Sequence, residues 1–214
     1  GDVDKKLTEL HSTLKFVGGS MSEEYPEQAM AVRFISPDAK VLELGSNYGR
    51  NTLIISSVVA NSENVVTMET SSEYAKVLAE NRAANDMKFH IVNAALSKTK
   101  LYQKGWECFP DGHPRVDASY KPVAIVNYEE LTQKYVKFDT LVADCEGSLF
   151  YIFPEFPELL KDVKRVIMEN DYHDIQHKVA VDNHLTQNGF VCIYSEAGGW
   201  GPCRGNFFEV WHKF

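Results

Sequence analysis

The sequence predicts an α/β fold in which a doubly wound, mostly parallel seven-stranded sheet carries helices on both faces. Short apolar runs rich in β-favouring residues alternate with stretches of helical length and periodicity between residues 40 and 194. Most of these runs end in acidic residues or glycine turns, as βα turns do. Only a short loop separates the runs at 190–194 and 206–214, so we expect the last strand to be antiparallel.

Each predicted element follows from its own local pattern. A polar lead-in precedes the first helices, and Ser22 is expected to cap the second helix, which stops before Pro37. The segment from Phe150 to Leu160 contains two prolines and is expected to form a broken helix. The predicted strands cover residues 40–44, 65–69, 89–93, 123–126, 138–144, 163–168, 190–194 and 206–214. The predicted helices cover residues 7–16, 22–36, 50–59, 71–85, 129–135, 150–160 and 174–188.

Composition limits the classes of protein to consider. A chain of 214 residues with 44% hydrophobic and 24% charged residues suits one globular α/β domain. The formal net charge of −8 argues against nucleic acid as the main partner, because phosphate binding needs a basic face. No apolar run reaches the length of a membrane span, so no membrane partner is expected. Four scattered cysteines predict free thiols and a cytoplasmic protein.

The expected organisation is a single domain with two additions. Residues 1–38 form a helical cover, and residues 39–214 form the α/β domain. Residues 102–121 interrupt the alternation with aromatic residues among polar ones, which predicts a long loop over the site. The alternative is a surface excursion with its own small cluster. The sequence does not predict an oligomeric state.

The main motif is Glu43-x-Gly45-x-x-x-Gly49, between an apolar strand and an apolar helix. The first glycine allows a sharp turn, and the second allows close approach at the helix start, whose free N–H groups face the strand end. The spacing is not that of a dinucleotide-binding or phosphate-binding loop. A carboxylate at the strand end would repel a pyrophosphate but suits a cationic ligand. The alternative is an ordinary strand-to-helix turn.

Further acidic residues are expected at the same sheet edge. Glu69 follows the glycine turn by about twenty residues, where an acid can accept hydrogen bonds from ribose hydroxyls; its alternative is a solvent-facing strand end. Asp144, Glu169 and Asp171 end later strands. Since the carboxyl ends of parallel strands share one edge, these acids and Glu43 should converge there.

Taken together, these residues resemble an FkbM-type class I S-adenosylmethionine-dependent methyltransferase. The resemblance runs from about Val41 to His173, with weaker agreement beyond. Two departures are Ala143, where the family often has lysine, and the aromatic insertion. The matching segments are the turn at 43–49, the acid Glu69, residues 93–97, residues 127–131 and, most specifically, residues 142–147 with the sequence Val-Ala-Asp-Cys-Glu-Gly.

The resemblance implies a cofactor and a substrate class. The cofactor is S-adenosylmethionine, and the substrate is a small-molecule or glycan hydroxyl, often on a saccharide. Some relatives need a divalent metal such as Mg²⁺ or Mn²⁺. The implied cofactor-binding residues are Glu43, Gly45, Ser46, Asn47, Gly49, Glu69, Thr70, Asn93, Ala94 and Asp144. Trp106, His113, Trp200 and Arg204 are predicted acceptor contacts.

Methylation of a sugar hydroxyl needs a base or a metal, because the hydroxyl pKa lies far above seven. Asp144 is the predicted residue at the reacting centre, and His173 could act as a base. Asp171 and Glu169 could join Asp144 as oxygen ligands of a divalent ion, so the reaction is predicted with or without metal. The alternatives are structural: Asp144 could only hydrogen-bond the cofactor, Asp171 could cap the next helix, and Glu146 could tie loops together.

Two other functions compete with this hypothesis. His173 and His177 lie four residues apart, which is close to the histidine spacing of zinc hydrolases and suggests a metal-dependent hydrolase. However, His184 would lie about 16 Å from His173 along the helix, so one zinc ion could not bind both. Surface histidines are the favoured interpretation for His177 and His184. The third hypothesis is a non-catalytic scaffold that binds the cofactor.

Overall fold

A computed structural model describes residues 1–214. The strands are β1 (Val41–Leu44), β2 (Val65–Met68), β3 (His90–Val92), β4 (Ala95–Leu96), β5 (Leu101–Lys104), β6 (Glu107–Pro110), β7 (Lys121–Val123), β8 (Ile125–Val126), β9 (Thr140–Ala143), β10 (Arg165–Glu169), β11 (Phe190–Glu196) and β12 (Phe208–Lys213). The helices are α1 (Asp2–Thr13), α2 (Tyr25–Phe34), α3 (Arg50–Val58), α4 (Ser72–Ala84), α5 (Tyr128–Lys134), α6 (Leu149–Glu155), α7 (Pro157–Asp162) and α8 (Ile175–Gln187).

Seven strands form the main sheet, in the spatial order β11-β12-β10-β9-β1-β2-β3. β1 is an inner strand and pairs in parallel with β2 on one side and β9 on the other. Only β12 is antiparallel to the other six strands, since it pairs antiparallel with both β10 and β11. The predicted fold class is therefore confirmed, including the antiparallel last strand.

Both faces of the sheet are covered by helices, and each face has its own hydrophobic core. On one face, Leu42 and Leu141 pack with residues of α5 to α8. On the other, Val41 and Val142 pack with residues of α1 to α4. Alternate strand residues thus enter opposite cores, as expected when a parallel sheet is buried on both sides. No helix of the structure has the length and apolar character needed to cross a membrane.

The start of the second helical segment differs from the predicted one because a different polar side chain caps it. Ser20, not Ser22, starts the second helical segment: its hydroxyl accepts a hydrogen bond from Ser22 N, while the Glu23 carboxylate accepts one from Ser20 N. Asp174 caps α8 by accepting a hydrogen bond from Gln176 N. Asp171 does not cap that helix, so this alternative was wrong.

The prediction of a long loop at 102–121 was wrong in part. β5 and β6 form an antiparallel hairpin, and β7 pairs with β5 to complete a three-stranded sheet. Gly105 and Trp106 form the tight hairpin turn, with Gly105 at a φ of +58°. Two short runs separated by two residues that include a glycine are a hairpin signal. That signal is present here, although Pro110 and Pro122 weaken it.

The N-terminal segment is part of the core. Leu7 of α1 and Met30 of α2 belong to the cluster that includes Val41 of β1. The buried Asn81 of α4 fixes the chain between α1 and α2, because it accepts a hydrogen bond from Val17 N and donates to the carbonyls of Val17 and Tyr48. α2 packs against β10, and its Glu27 lies beside Glu169 at the end of that strand, so α2 can border a site at the sheet edge.

Candidate functional site

A cavity of about 320 Å³ opens at the sheet edge where β1, β2, β9 and β10 end. This volume is within the range of small-molecule sites. Its wall combines apolar side chains with carboxylates, as expected for a ligand that has both a flat apolar part and a charged part. The predicted site residues that line it are Gly45, Asn47, Glu69, Thr70, Ala94, Asp144 and Glu169.

The glycine turn after β1 is held against two neighbouring strand ends. Gly45 has a φ of +85°, and a Cβ there would lie 1.7 Å from the Asp144 carbonyl oxygen, so no other residue fits. The N–H groups of Gly45 and Ser46 both donate to Met68 O at the end of β2. Asn47 N donates to the Glu69 carboxylate at 2.8 Å. The glycine turn therefore contacts both Asp144 and Glu69.

Glu69 is positioned for the role predicted from its spacing. Its carboxylate lines the cavity and accepts hydrogen bonds from Asn47 N and Ser71 N. These backbone donors fix its orientation, and each carboxylate oxygen keeps a further lone pair for a ligand hydroxyl. Burial raises the pKa of Glu69, and the two N–H groups oppose that rise.

Three of the predicted cofactor-binding residues do not line the cavity. Ser46 is buried and donates to Met68 O, and Gly49 starts α3 with a φ of +99°. Asn93 donates to the carbonyls of Glu69 and Thr70 and accepts from the Ser72 hydroxyl. Their polar groups therefore hold the loops that form the cavity wall.

Glu43 also lies outside the cavity wall. Its carboxylate accepts hydrogen bonds from the hydroxyls of Thr52 and Thr67, at 2.5 and 2.6 Å, which links β1 to α3 and β2. The residue is only 2% exposed, and burial raises its pKa to about 7. The structure thus gives Glu43 a supporting position beneath the glycine turn.

Two groups of carboxylates share Asp144 at the other end of the cavity. In one group, oxygen atoms of Glu27, Asp144 and Glu169 lie within 4.8 Å of one another; in the other, those of Asp144, Glu146 and Asp171 do. The three predicted metal ligands therefore fall into two groups, and Asp144 belongs to both. Glu27 was missed because it lies on α2, and nothing in the local sequence indicates contact with β9 and β10.

No lysine or arginine pairs with these five carboxylates, and the only basic side chain that lowers the pKa of one of them is His173, which acts on Glu146. None of the ion pairs in the structure involves them, and Arg50 of α3 binds Glu23 and Glu24 instead. Burial and the neighbouring carboxylates raise the pKa values of Asp144 and Glu169. Asp171 is 3% exposed and accepts from Gly147 N through Oδ1, whereas its Oδ2 is buried without a hydrogen-bond partner. This end of the cavity therefore favours a cation or protons.

The histidines do not form a metal site. His173 is exposed and packs against Trp200, with ring centroids 4.7 Å apart, and it does not line the cavity. His177 stacks on Phe150 at 3.7 Å. Neither belongs to a group of three side chains that could hold a metal ion. The structure therefore does not support the zinc hydrolase hypothesis or a base role for His173 inside the cavity.

Of the four predicted acceptor contacts, only Trp106 lines the cavity. His113 stacks on Phe109 within the insertion, at a centroid distance of 4.2 Å. Trp200 and Arg204 lie in the segment between β11 and β12, outside the cavity wall. The hairpin of β5 and β6 also contributes Leu101, Gln103 and Cys108 to the wall.

Solved structures with the same fold are methyltransferases. A ribosomal protein L11 methylase from Lactobacillus delbrueckii subsp. bulgaricus superposes with a TM-score of 0.56 at 16% identity, over 89% of this chain and 79% of that one. The fold is that of the class I methyltransferases. An rRNA methylase from Streptococcus thermophilus superposes with a TM-score of 0.54 at 8% identity, over 88% of this chain and 95% of that one. An O-methyltransferase from Bacillus cereus, in complex with S-adenosylhomocysteine (SAH), superposes with a TM-score of 0.51 at 13% identity, over 99% of this chain and 90% of that one.

The similarity is one of fold, at low sequence identity. Searches of protein-family models and of curated proteins give no match to this sequence. Because the rRNA methylase shares this fold, the fold does not support the predicted exclusion of nucleic acid. It does support a methyltransferase fold for the chain as a whole, since these structures superpose on 88% or more of it.

Glu43→Gln should weaken the pH dependence of stability. The folded protein keeps the Glu43 carboxyl protonated up to a pKa of about 7, whereas the unfolded chain loses that proton near 4.5. Between these values the folded state binds more protons, so the free energy of unfolding falls as pH rises. Urea unfolding measures this free energy at pH 5 and at pH 7.5. Its decrease between the two pH values should be smaller in the variant than in the wild type, by up to about 3 kcal/mol.

The exposed Glu73→Gln serves as the control, with a pH dependence like that of the wild type. Equal pH dependence in wild type and Glu43→Gln would contradict a buried, protonated Glu43.

Proposed function

We propose that the chain is an S-adenosylmethionine-dependent O-methyltransferase that acts on a hydroxyl of a sugar or other glycan. One observation carries this proposal: the glycine turn, Glu69 and Asp144 line the same cavity in a class I methyltransferase fold. The order of strands places Gly45 between the other two. The cavity therefore has an acid for a ribose on one side of the turn and an acid for the acceptor on the other.

The residues present fit the cofactor. Glu69 has free lone pairs on a buried, fixed carboxylate, which suits ribose hydroxyls. The carboxylates around Asp144 have no lysine or arginine partner, and they suit the positive charge of a sulfonium. S-adenosylmethionine supplies an electrophilic methyl group when bound. The chain's own task is then to orient the acceptor and to remove its proton.

Asp144 is the residue we assign to that proton transfer. Its N–H donates to Leu44 O, which fixes the residue at the cavity wall beside the glycine turn. One carboxylate oxygen would accept the hydroxyl proton, leaving the acceptor oxygen free to attack. The sequence Asp144-Cys-Glu-Gly147 is also the segment that most resembles the FkbM-type enzymes. That resemblance, together with the acidic cavity, favours a neutral or cationic saccharide over a nucleic acid.

A divalent cation fits the carboxylates around Asp144. Each of the two groups contains one buried oxygen atom without a hydrogen-bond partner, Glu27 Oε2 in one and Asp171 Oδ2 in the other. Asp171 is held in place by Gly147 N and lies with Asp144 and Glu146 within reach of one ion. Hard oxygen ligands of this kind bind Mg²⁺ or Mn²⁺. We propose that Asp144, Glu146 and Asp171 hold the ion, which would lower the pKa of an acceptor hydroxyl. Glu169 faces Glu27 in the other group and is not part of this set.

Glu69→Gln should weaken binding of SAH by about ten- to hundredfold. The reason is the loss of charge-assisted hydrogen bonds to the ribose, each worth about 1.5–3 kcal/mol. Isothermal titration measures the affinity, and the exposed Glu73→Gln on α4 is the matched control. If the wild type binds no SAH, the cofactor assignment fails. If the Gln variant binds like the wild type, the role of Glu69 fails.

Asp144→Asn should lower methyl transfer at least a hundredfold, because the amide cannot take the hydroxyl proton. Transfer of a labelled methyl group to a panel of saccharides, with Mg²⁺ and with EDTA, measures this. SAH affinity within about tenfold of wild type would show that the cofactor pocket is intact. Asp86→Asn, at an exposed left-handed position that asparagine tolerates, is the control. Full turnover by Asp144→Asn would refute the assignment.

Asp171→Asn should reduce Mn²⁺ affinity at least tenfold, because it removes one anionic ligand while the amide oxygen can still accept from Gly147 N. Electron paramagnetic resonance of free Mn²⁺ measures binding without acceptor or cofactor. Glu27→Gln, in the other carboxylate group, should retain affinity within about threefold. Loss of binding in Glu27→Gln but not in Asp171→Asn would move the ion to the other group.

A further inference from the structure

The hairpin of the insertion forms a wall over one end of the cavity. Gln103 and Cys108 face each other across β5 and β6, so their side chains leave the same face of the hairpin. Both line the cavity, together with Leu101. Tyr102 and Phe109 form the next cross-strand pair, and neither lines the cavity. One face of the hairpin is thus turned toward the site.

Trp106 occupies the tip of this hairpin and is unusual for a cavity residue. It is 57% exposed although it lines the cavity. Its ring lies 5.6 Å from the ring of Tyr74, which in turn lies 4.8 Å from that of Tyr48. Tyr74 lines the cavity as well. The exposed indole of Trp106, next to the half-buried Tyr74, therefore offers an apolar surface at this end of the cavity.

The order of strands tells which part of the cofactor reaches this pair. Along the sheet edge, Asp144 follows β9, Gly45 follows β1, Glu69 follows β2 and Ala94 follows β3. Neighbouring strands lie about 4.8 Å apart, so Asp144 and Glu69 are separated by roughly 10 Å. If the sulfonium faces Asp144 and the ribose binds Glu69, the base must extend further, past β2. The sulfonium and the base are attached at opposite ends of the ribose, so the base should lie on the side of Glu69 that faces away from Asp144.

Beyond Glu69, the cavity wall suits a flat ring. It includes Ala94 and Leu96 on the sheet side and Leu101 and Trp106 from the hairpin. Gln103 is the polar group at this end; its side-chain nitrogen donates to Gly105 O, which leaves the amide oxygen as an acceptor for an exocyclic amine. An aromatic side chain stacks on any base because every base has a π face.

We infer that Trp106 binds the nucleobase of the cofactor, with its indole ring stacked on the base, and does not contact the acceptor. This inference rests on the proposed function and replaces the expectation that Trp106 contacts the sugar. The insertion then belongs to the cofactor site. Trp106 is a cofactor-binding residue that lies far from the reacting atoms.

Trp106→Ala should weaken SAH binding by about ten- to hundredfold, the effect expected for loss of one base–aromatic stack. Trp106→Phe keeps a smaller aromatic face and should stay within about threefold of wild type. The affinity for adenosine, which lacks the amino-acid part of the cofactor, should fall by the same factor in Trp106→Ala. Isothermal titration measures both ligands, and thermal unfolding checks that the variants fold. The exposed Trp200→Ala is the matched control, with unchanged SAH affinity.

Fluorescence gives an independent readout, since a base stacked on an indole quenches its emission. SAH should quench the wild type and Trp200→Phe, whereas Trp106→Phe should bind SAH with the quenching largely lost. If Trp106→Ala binds SAH within twofold of wild type, the inference is wrong, and a raised KM for a saccharide would then return Trp106 to the acceptor. If the wild type binds no SAH, the proposed function itself fails, and this inference fails with it.

Discussion

The close contact between two backbone turns governs the site. The Asp144 carbonyl occupies the place where a side chain on Gly45 would be, and Asp144 N donates to Leu44 O. The same turn binds the end of β2 through Met68 O and Glu69. One glycine therefore fixes the separation of Asp144 and Glu69. A larger residue would push apart both strands, and not only the local loop.

Buried negative charge is the second constraint, and the chain handles it in two ways. Glu43 receives two hydroxyl donors and burial keeps its carboxyl protonated to about pH 7, so it can serve as a neutral link between strands. The carboxylates around Asp144 receive few donors and no lysine or arginine. Placing unpaired charges in a low-dielectric site is costly, which is typical of a ligand site and not of a structural one. By this difference in hydrogen-bond donors, Glu43 is an acid that supports the fold, whereas the carboxylates around Asp144 remain available to a ligand.

The sequence was sufficient to predict the structure where a pattern repeats within one element or one turn. The sheet, its antiparallel last strand and the places of Gly45, Glu69 and Asp144 follow from period, turn residues and strand ends. It was insufficient where a side chain acts across the fold. Glu27 reaches β9 and β10 from α2, and two threonines take up the carboxylate of Glu43. No local pattern encodes such contacts, because they depend on how distant elements pack. The hairpin of the insertion was a different case, since its turn signal at Gly105 is local and was missed.

The place of β9 in the sheet also sets when the site can form. Val41 pairs with Thr140, although 99 residues separate them along the chain, whereas Val41 and Val65 are much closer in sequence. A growing chain that has reached residue 130 already contains the glycine turn and Glu69, but β1 is then an open sheet edge without its acidic partner. Closing so long a loop is slow compared with local pairing. Ligand-binding competence should therefore arise late in folding, after half of the sheet has formed.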